Sequence, residues 1–358
     1  MKIENGTLVC NDEVVADYLT DAEEKDAIVR VEVGPVVRKI GTSAFSGCPN
    51  LEEVVFSEGV EEIGRCAFAH CKRLASVTLP KSLRVVGGGA FVGCECLADV
   101  SFEPGGLVRI ALDRVLPFRR CAGRIQIERK IAQENARRGR VVLNKLYEAL
   151  MEDGHPYVAG YEEACKRFER VEWGSASEED LRELIYAVDN KVAHLGAYAN
   201  CSMTESEWNA ADKTDCRMLC ARIAGSPGDA EFVAEQRKEF NALLGGNKKA
   251  RFNRMVAALL PDRVVPIPSE EALSLLSDWL NRNGLLDPVP VSGDSWFVTS
   301  SAIRNCISAI LTEKTVYECG VFCWLLAEAL RGTNKDLERQ RRIRVVRTFL
   351  ESCGRLFT

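Results

Sequence analysis

Histidine is scarce in this chain: three in 358 residues, at His70, His155 and His194. So few leave little material for a histidine-based catalytic centre. There is no Walker loop, no Gly-x-Ser-x-Gly elbow and no His-Glu-x-x-His pair. The chemistries that depend on those motifs are therefore not indicated. No run approaches the ~18 apolar residues a membrane-crossing helix needs, so no membrane partner is expected. The opening Met1-Lys2-Ile3-Glu4-Asn5-Gly6 has neither an apolar segment nor a cleavage site, and no signal peptide is visible.

Cysteine, by contrast, is plentiful. Fifteen is an odd number, and without an export signal the expectation is reduced thiols in a cytoplasmic protein. Apolar content of 46% and charged content of 28% are those of a globular chain, and the length implies two or three domains. Charge is uneven: residues 1–106 hold 10 Lys and Arg against 17 Asp and Glu, the remainder 37 against 35. All five tryptophans (Trp173, Trp208, Trp279, Trp296, Trp324) fall in the remainder. The expected domains are residues 1–121 and 122–358, with a further break near 284–298.

The first of these domains is written by repetition. Ile40–Leu51 recurs at Ile63–Leu74 and again at Val86–Leu97, each 23 residues on. Leu51, Leu74 and Leu97 share a column, as do Val54, Val77 and Val100; Phe56, Leu79 and Phe102; and Phe45, Phe68 and Phe91. Ile28, Val31 and Val33 fall one period earlier and predict an extra strand. A single coil cannot bury its own apolar face, so such a period predicts a solenoid.

The pattern Ile-Gly-x-x-Ala-Phe-x-x-Cys-x-x-Leu-x-x-Val, complete at Ile40–Val54 and Ile63–Val77, resembles the BspA-like leucine-rich repeat. The resemblance covers only about residues 28–110. That family occurs mostly in surface and secreted proteins with many more repeats, and the likeness implies a binding scaffold rather than an activity. Cys48, Cys71 and Cys94 form one column and are expected as small buried core residues. Two columns should point outward from the strands: Arg30, Glu53, Ser76 and Asp99, and Glu32, Val55, Thr78 and Ser101. They are the candidate partner-binding residues. Leu107, Val108, Ile110, Leu112, Val115, Leu116 and Phe118 are expected to pack against the first helices and cover the last coil.

Beyond Phe118 helical spacing takes over. Helices are predicted near Ile125–Arg137, Arg140–Glu152, Tyr161–Glu172, Glu178–Tyr198, Thr204–Ala224, Ala230–Leu244, Lys248–Leu260, Ser269–Asn283, Ser300–Thr312, Thr315–Arg331 and Lys335–Gly354. Pro288–Phe297 is read as a short hairpin. Asp189-Asn190-Lys191-Val192-Ala193-His194 resembles the Arg-Asn-x-x-Ala-His element of the helical ribonuclease family called HEPN. Asp189 stands where the arginine belongs, which removes the cation that would stabilise phosphate charge. Cys216 and Cys220, with His194 and Cys201, offer zinc-type ligands but no recognised spacing. Basic residues crowd Arg119–Arg140, the segment from Lys248 to Arg254, and Arg339, Arg341, Arg342, Arg344 and Arg347.

The fold class expected is α+β: a short leucine-rich-repeat solenoid followed by a mostly α-helical domain. The functional expectation is a non-enzymatic recognition protein with a protein partner, no cofactor and no metal. The alternative is a nucleic-acid-binding or degenerate HEPN-like ribonuclease protein acting through its arginine-rich helical half in a defence setting.

Overall fold

A computed structural model describes residues 3–15, 21–106, 110–112, 117–151, 155–187, 189–193, 203–226, 229–287, 289, 294–331 and 348. These divide into two compact units, one up to Val142 and one from Leu143 onward.

The first unit is built on a β-solenoid of about four turns. Its strands are β1 (Ile3–Glu4), β2 (Thr7–Cys10), β3 (Val14–Val15), β4 (Arg30–Val33), β5 (Lys39–Ile40), β6 (Glu53–Phe56), β7 (Glu62–Ile63), β8 (Ser76–Leu79), β9 (Val85–Val86), β10 (Asp99–Phe102) and β11 (Ala111–Leu112). A short helix, α1 (Ala22–Ala27), lies between β3 and β4 in sequence. The four-residue strands stack in parallel in the order β2, β4, β6, then β8, β10; the two-residue strands stack as β3, β5, β7, β9, β11. Val31 pairs with Val54 and Val77 with Val100, so the repeat period is also the strand register.

β2 extends the stack one coil before the strand expected at Ile28–Val33. Its buried Leu8 and Cys10 lie opposite Val31 and Val33. Ahead of it, Asn5 and Gly6 take left-handed backbone, φ 50° and 77°, as a two-residue hairpin turn requires. The turn folds β1 antiparallel onto β2 and covers that sheet edge. β6 and β8 run side by side but share no ladder. Gly34, Ser57 and Glu103 donate their backbone N–H to the preceding coil at Cys10, Val33 and Leu79. Pro80 occupies the equivalent place, and proline has no N–H to give.

The core is an aromatic column. Phe45, Phe68, Phe91 and Phe118 stack at centroid spacings of 5.2, 5.3 and 5.3 Å, nearly parallel. Phe118 is thus a fourth rung of the repeat, 27 rather than 23 residues after Phe91, and shares the core with Ile127 and Ile131 of the helix that follows. Beside this column the thiols of Cys71, Cys94 and Cys121 donate to the carbonyls of Phe45, Phe68 and Phe91 at 3.2, 3.0 and 3.1 Å. Burial pushes the Cys121 thiol up to about 12, so it stays protonated and inert.

One column needs left-handed backbone in every coil: Gly47, His70, Gly93 and, in the last coil, Arg120. His70, at φ 62° and exposed, carries the side-chain penalty that glycine avoids. The substitution His70→Gly is expected to stabilise the solenoid by about 1 kcal/mol. An unchanged or lower midpoint in chemical denaturation would contradict this.

The helices that follow are α2 (Arg124–Met151), α3 (Pro156–Glu169), α4 (Glu178–Leu181), α5 (Glu205–Ala210), α6 (Lys213–Ala224), α7 (Ala230–Leu243), α8 (Lys249–Leu259), α9 (Glu270–Arg282), α10 (Ser295–Ile310) and α11 (Val316–Arg331). The two predicted N-terminal helices are one, α2, and the unit division falls inside it. The helix predicted at Glu178–Tyr198 stops early: α4 passes into a π-helical turn at Arg182–Tyr186, and Asp189–Ala193 is irregular with a bend at Lys191-Val192. The helix predicted at Thr204–Ala224 breaks at Ala211-Asp212, because Asp212 caps α6 by accepting from Thr214 and Asp215 N–H. The hairpin reading of Pro288–Phe297 is corrected at its end. Asp294 caps α10 by accepting from the Phe297 N–H at 2.9 Å, so Ser295–Phe297 is helical. Lys335–Gly354, apart from residue 348, lies outside the described residues.

Candidate recognition surface

Alternation along each solenoid strand sends odd and even residues to opposite faces. In β6 the burial runs exposed, buried, exposed, buried, with Val54 and Phe56 inward and Glu53 and Val55 outward. The eight predicted residues all lie on the outer face in register. Arg30 is opposite Glu53, Glu32 opposite Val55, Ser76 opposite Asp99, and Thr78 opposite Ser101. The Arg30 and Thr78 rows continue onto Thr7 and Val9 of β2, which lie opposite Arg30 and Glu32. These two had been missed, although they sit one 23-residue period before Arg30 and Glu32.

Charge on this face is already partnered. Arg30 donates to Glu32 at 2.9 Å and also to Glu53, and the Glu32 hydrogen bond raises the Arg30 pKa further. Thr78 and Ser101 hydroxyls share a hydrogen bond at 2.8 Å. Asp99 is held by Lys130 of α2 at 2.5 Å, and that hydrogen bond lowers its carboxyl pKa. Val9 and Val55 remain as exposed aliphatic groups, 43% and 37% accessible. The face is thus short-chained and close to neutral, bounded at one end by the β1 hairpin and at the other by α2.

The N-terminal half of α2 closes the last coil with polar groups as well as apolar ones. Ile127 and Ile131 join the solenoid core. The Asn135 side chain accepts from Ile110 N–H at 2.8 Å and donates to Ile110 C=O at 3.0 Å, replacing a neighbouring strand for that residue. Arg138, fully buried, pairs with Glu134 at 2.8 Å and donates to the carbonyls of Lys81 and Leu83. Arg137 bonds Glu134 and the Gly106 carbonyl. Part of the basic cluster expected at Arg119–Arg140 is therefore an end seal. The hydrophilic spelling of that helix concealed the role, since buried Asn, Glu and Arg look like a solvated face in sequence.

The second basic cluster is also absorbed into structure. Arg251 and Arg254, one turn apart on α8, are buried and donate to the carbonyls of Leu184, Ile185, Tyr186, Ala187 and Ala193. They serve the carbonyls left open where the π-helical turn ends. Lys248 pairs with Glu207 at 3.0 Å. Arg339, Arg341, Arg342, Arg344 and Arg347 lie outside the described residues, as do His194 and Cys201. Asn190 accepts from Val192 and Ala193 N–H in a turn, so its part of the Asn-x-x-Ala-His element is not on a helix face. Cys216 and Cys220 are buried in α6. Among the described residues no three or more His, Cys, Asp or Glu side chains are placed to hold a metal, and no helix is long and apolar enough to cross a membrane.

Comparison with known proteins agrees with the solenoid. Residues 24–112 match the family model for the BspA type leucine rich repeat region, in six copies. The match does not extend into the helical remainder. No curated protein matches the chain. Solved structures similar to it include a leucine rich cell surface protein from Faecalibacterium prausnitzii A2-165, 27% identical over 27% of this chain and 26% of that one, TM-score 0.25. A leucine-rich repeat protein from Bacteroides ovatus is 30% identical over 22% of this chain and 27% of its own, TM-score 0.20. The leucine rich repeat protein of T. pallidum is 26% identical over 26% of this chain and 57% of its own, TM-score 0.22. The chain thus spans about a quarter of the first of these.

Proposed function

We propose that this is a non-enzymatic recognition protein whose solenoid face binds a protein partner, while the helical part serves as a docking or effector body. The observation that carries the reading is the pair of outward columns, Thr7 to Asp99 and Val9 to Ser101, held in register by parallel pairing within β2, β4 and β6 and within β8 and β10, on a stack whose ends are separately closed. A rigid, gently featured surface with exposed Val9 and Val55 among hydroxyls suits protein contact, where apolar centres with polar surrounds carry the affinity. The buried thiols of Cys71, Cys94 and Cys121 donate to backbone carbonyls and form no disulfide with one another, which supports a reducing, cytoplasmic setting.

The test is affinity capture with the full chain and with a variant carrying Glu53→Lys, Val55→Asp and Thr78→Asp. All three positions are exposed, so the fold should persist, as circular dichroism would verify. Specific partners are expected to be lost from the variant. Retention of the same partners at equal yield would refute the strand face as the binding surface.

A further inference from the structure

The short strands of the solenoid carry an outward ladder of their own. In β3, β5, β7 and β9 the first residue points outward and the second is buried. The outward residues are Val14, Lys39, Glu62 and Val85, set one above another by parallel pairing. Val14 is 47% and Val85 38% accessible. The side chains of Lys39 and Glu62 pair at 2.8 Å and are 42% and 39% accessible. The residues just before them, Glu13, Arg38, Glu61 and Arg84, are also unburied. They keep the same order, each of the last three donating its N–H to the carbonyl of the one before at 2.8 Å.

Both columns reverse their charge about the same line, midway between β5 and β7. One reads Val, Lys, Glu, Val along the stack, and the other Glu, Arg, Glu, Arg. A half-turn about an axis laid along that line, parallel to the strands, inverts the order of the coils and keeps each column over itself. It sets Lys39 against Glu62 of a second copy and Val14 against Val85. In the flanking column it sets Arg38 against Glu61 and Glu13 against Arg84. No like charges meet, which is what an isologous contact demands, since the same patch must complement itself. The Lys39–Glu62 pair and its twofold mate then form a square with opposite charges along every edge.

We propose that the short-strand face is a self-association surface, on which two copies of this chain meet about a twofold axis parallel to the strands between β5 and β7. The occupant is a second copy because under that one operation the patch offers every charge its opposite. The contact uses none of the outward residues of the long strands, so it stands apart from the recognition reading of that face. Four coils at ~4.8 Å spacing span only ~20 Å, which places the contact among small, transient interfaces. Its charged pairs are open to water and are screened by salt.

The experiment is sedimentation equilibrium of the full chain at low salt, over roughly 10 μM to 1 mM, beside Lys39→Glu, Glu62→Lys and the double variant. The wild type is expected to self-associate, and added salt to weaken it. Each single swap sets like charges against each other across the axis and should weaken association about tenfold or more. An equimolar mixture of the two single variants should restore it, because each supplies the charge the other lacks. The double variant should associate with itself but not with the wild type. Exposed pairs of this kind contribute little to folding, and circular dichroism verifies that the variants fold. Should a single variant fail to fold, the double variant decides, since it keeps an opposite-charge pair within the chain. A wild type monomeric throughout, single variants that associate as the wild type does, a mixture no stronger than its components, or a double variant that pairs with the wild type overturns the proposal.

Discussion

Replacing Phe68 with alanine is expected to destabilise the solenoid by about 3–5 kcal/mol. Phe68 is fully buried. It stacks on Phe45 and Phe91 at 5.2 and 5.3 Å and takes the edge of Phe56 at 6.1 Å. Its removal therefore opens a void shared by three coils. In a linear stack the stability is a sum over neighbouring coils, and an interior rung sits in two of those interfaces. Phe118, the last rung, has one stacked neighbour in the column, Phe91, and Phe118→Ala should cost less. Equilibrium denaturation of both variants checks the order. A Phe68→Ala loss below about 1 kcal/mol would mean the column is not the core it is taken to be.

The second large effect lies in the end seal. Glu134→Ala would leave Arg138, fully buried, without its carboxylate, and breaking a buried pair in this way costs about 3–5 kcal/mol. Glu134→Gln should be milder, since the amide oxygen can still accept from Arg138. The pair also predicts a pH dependence. Burial opposes the charged form of Glu134, but hydrogen bonds from Arg137 and Arg138 outweigh it and hold the carboxyl below the ordinary value of 4.5. A group with a lowered folded value contributes its stability above the unfolded value and loses it as pH falls through the folded one. The gap between wild type and Glu134→Ala should thus be full near neutrality and narrow below pH 4.5. A gap that stays constant into acid would show that the charge of Glu134 does not stabilise the seal.

Much of the solenoid was legible because its constraints are local and periodic. Val54 and Phe56 alternate with Glu53 and Val55 in sequence as they alternate in space, and the same columns one period apart give the register. The outward positions follow from the same alternation, so all eight candidate residues could be named before any coordinate. The omission of β2 came from stopping the period too early, although Leu8 and Cys10 satisfy it. That Phe118 is also a rung of the column was not legible, because it follows Phe91 by 27 residues and spacing alone gives no weight to a rung out of phase.

The helical part was legible only as helices. Where a helix stops depends on side chains that take over backbone groups: Asp212 ends one predicted helix by capping the next, and Asp294 starts α10 where a hairpin was read. The early stop after Tyr186 involves Arg251 and Arg254, some 65 residues away, and no local signal announces it.

The sequence by itself determined the solenoid, its register and its outward face, because each coil repeats the same apolar spacing and must stack on its neighbours to bury it. Tertiary structure alone decided the fate of the polar residues. Asn135, Glu134 and Arg138 seal the last coil, and Arg251 and Arg254 serve open carbonyls. A charged side chain reads the same in sequence whether water or the protein interior surrounds it, and only packing sets which groups must answer it.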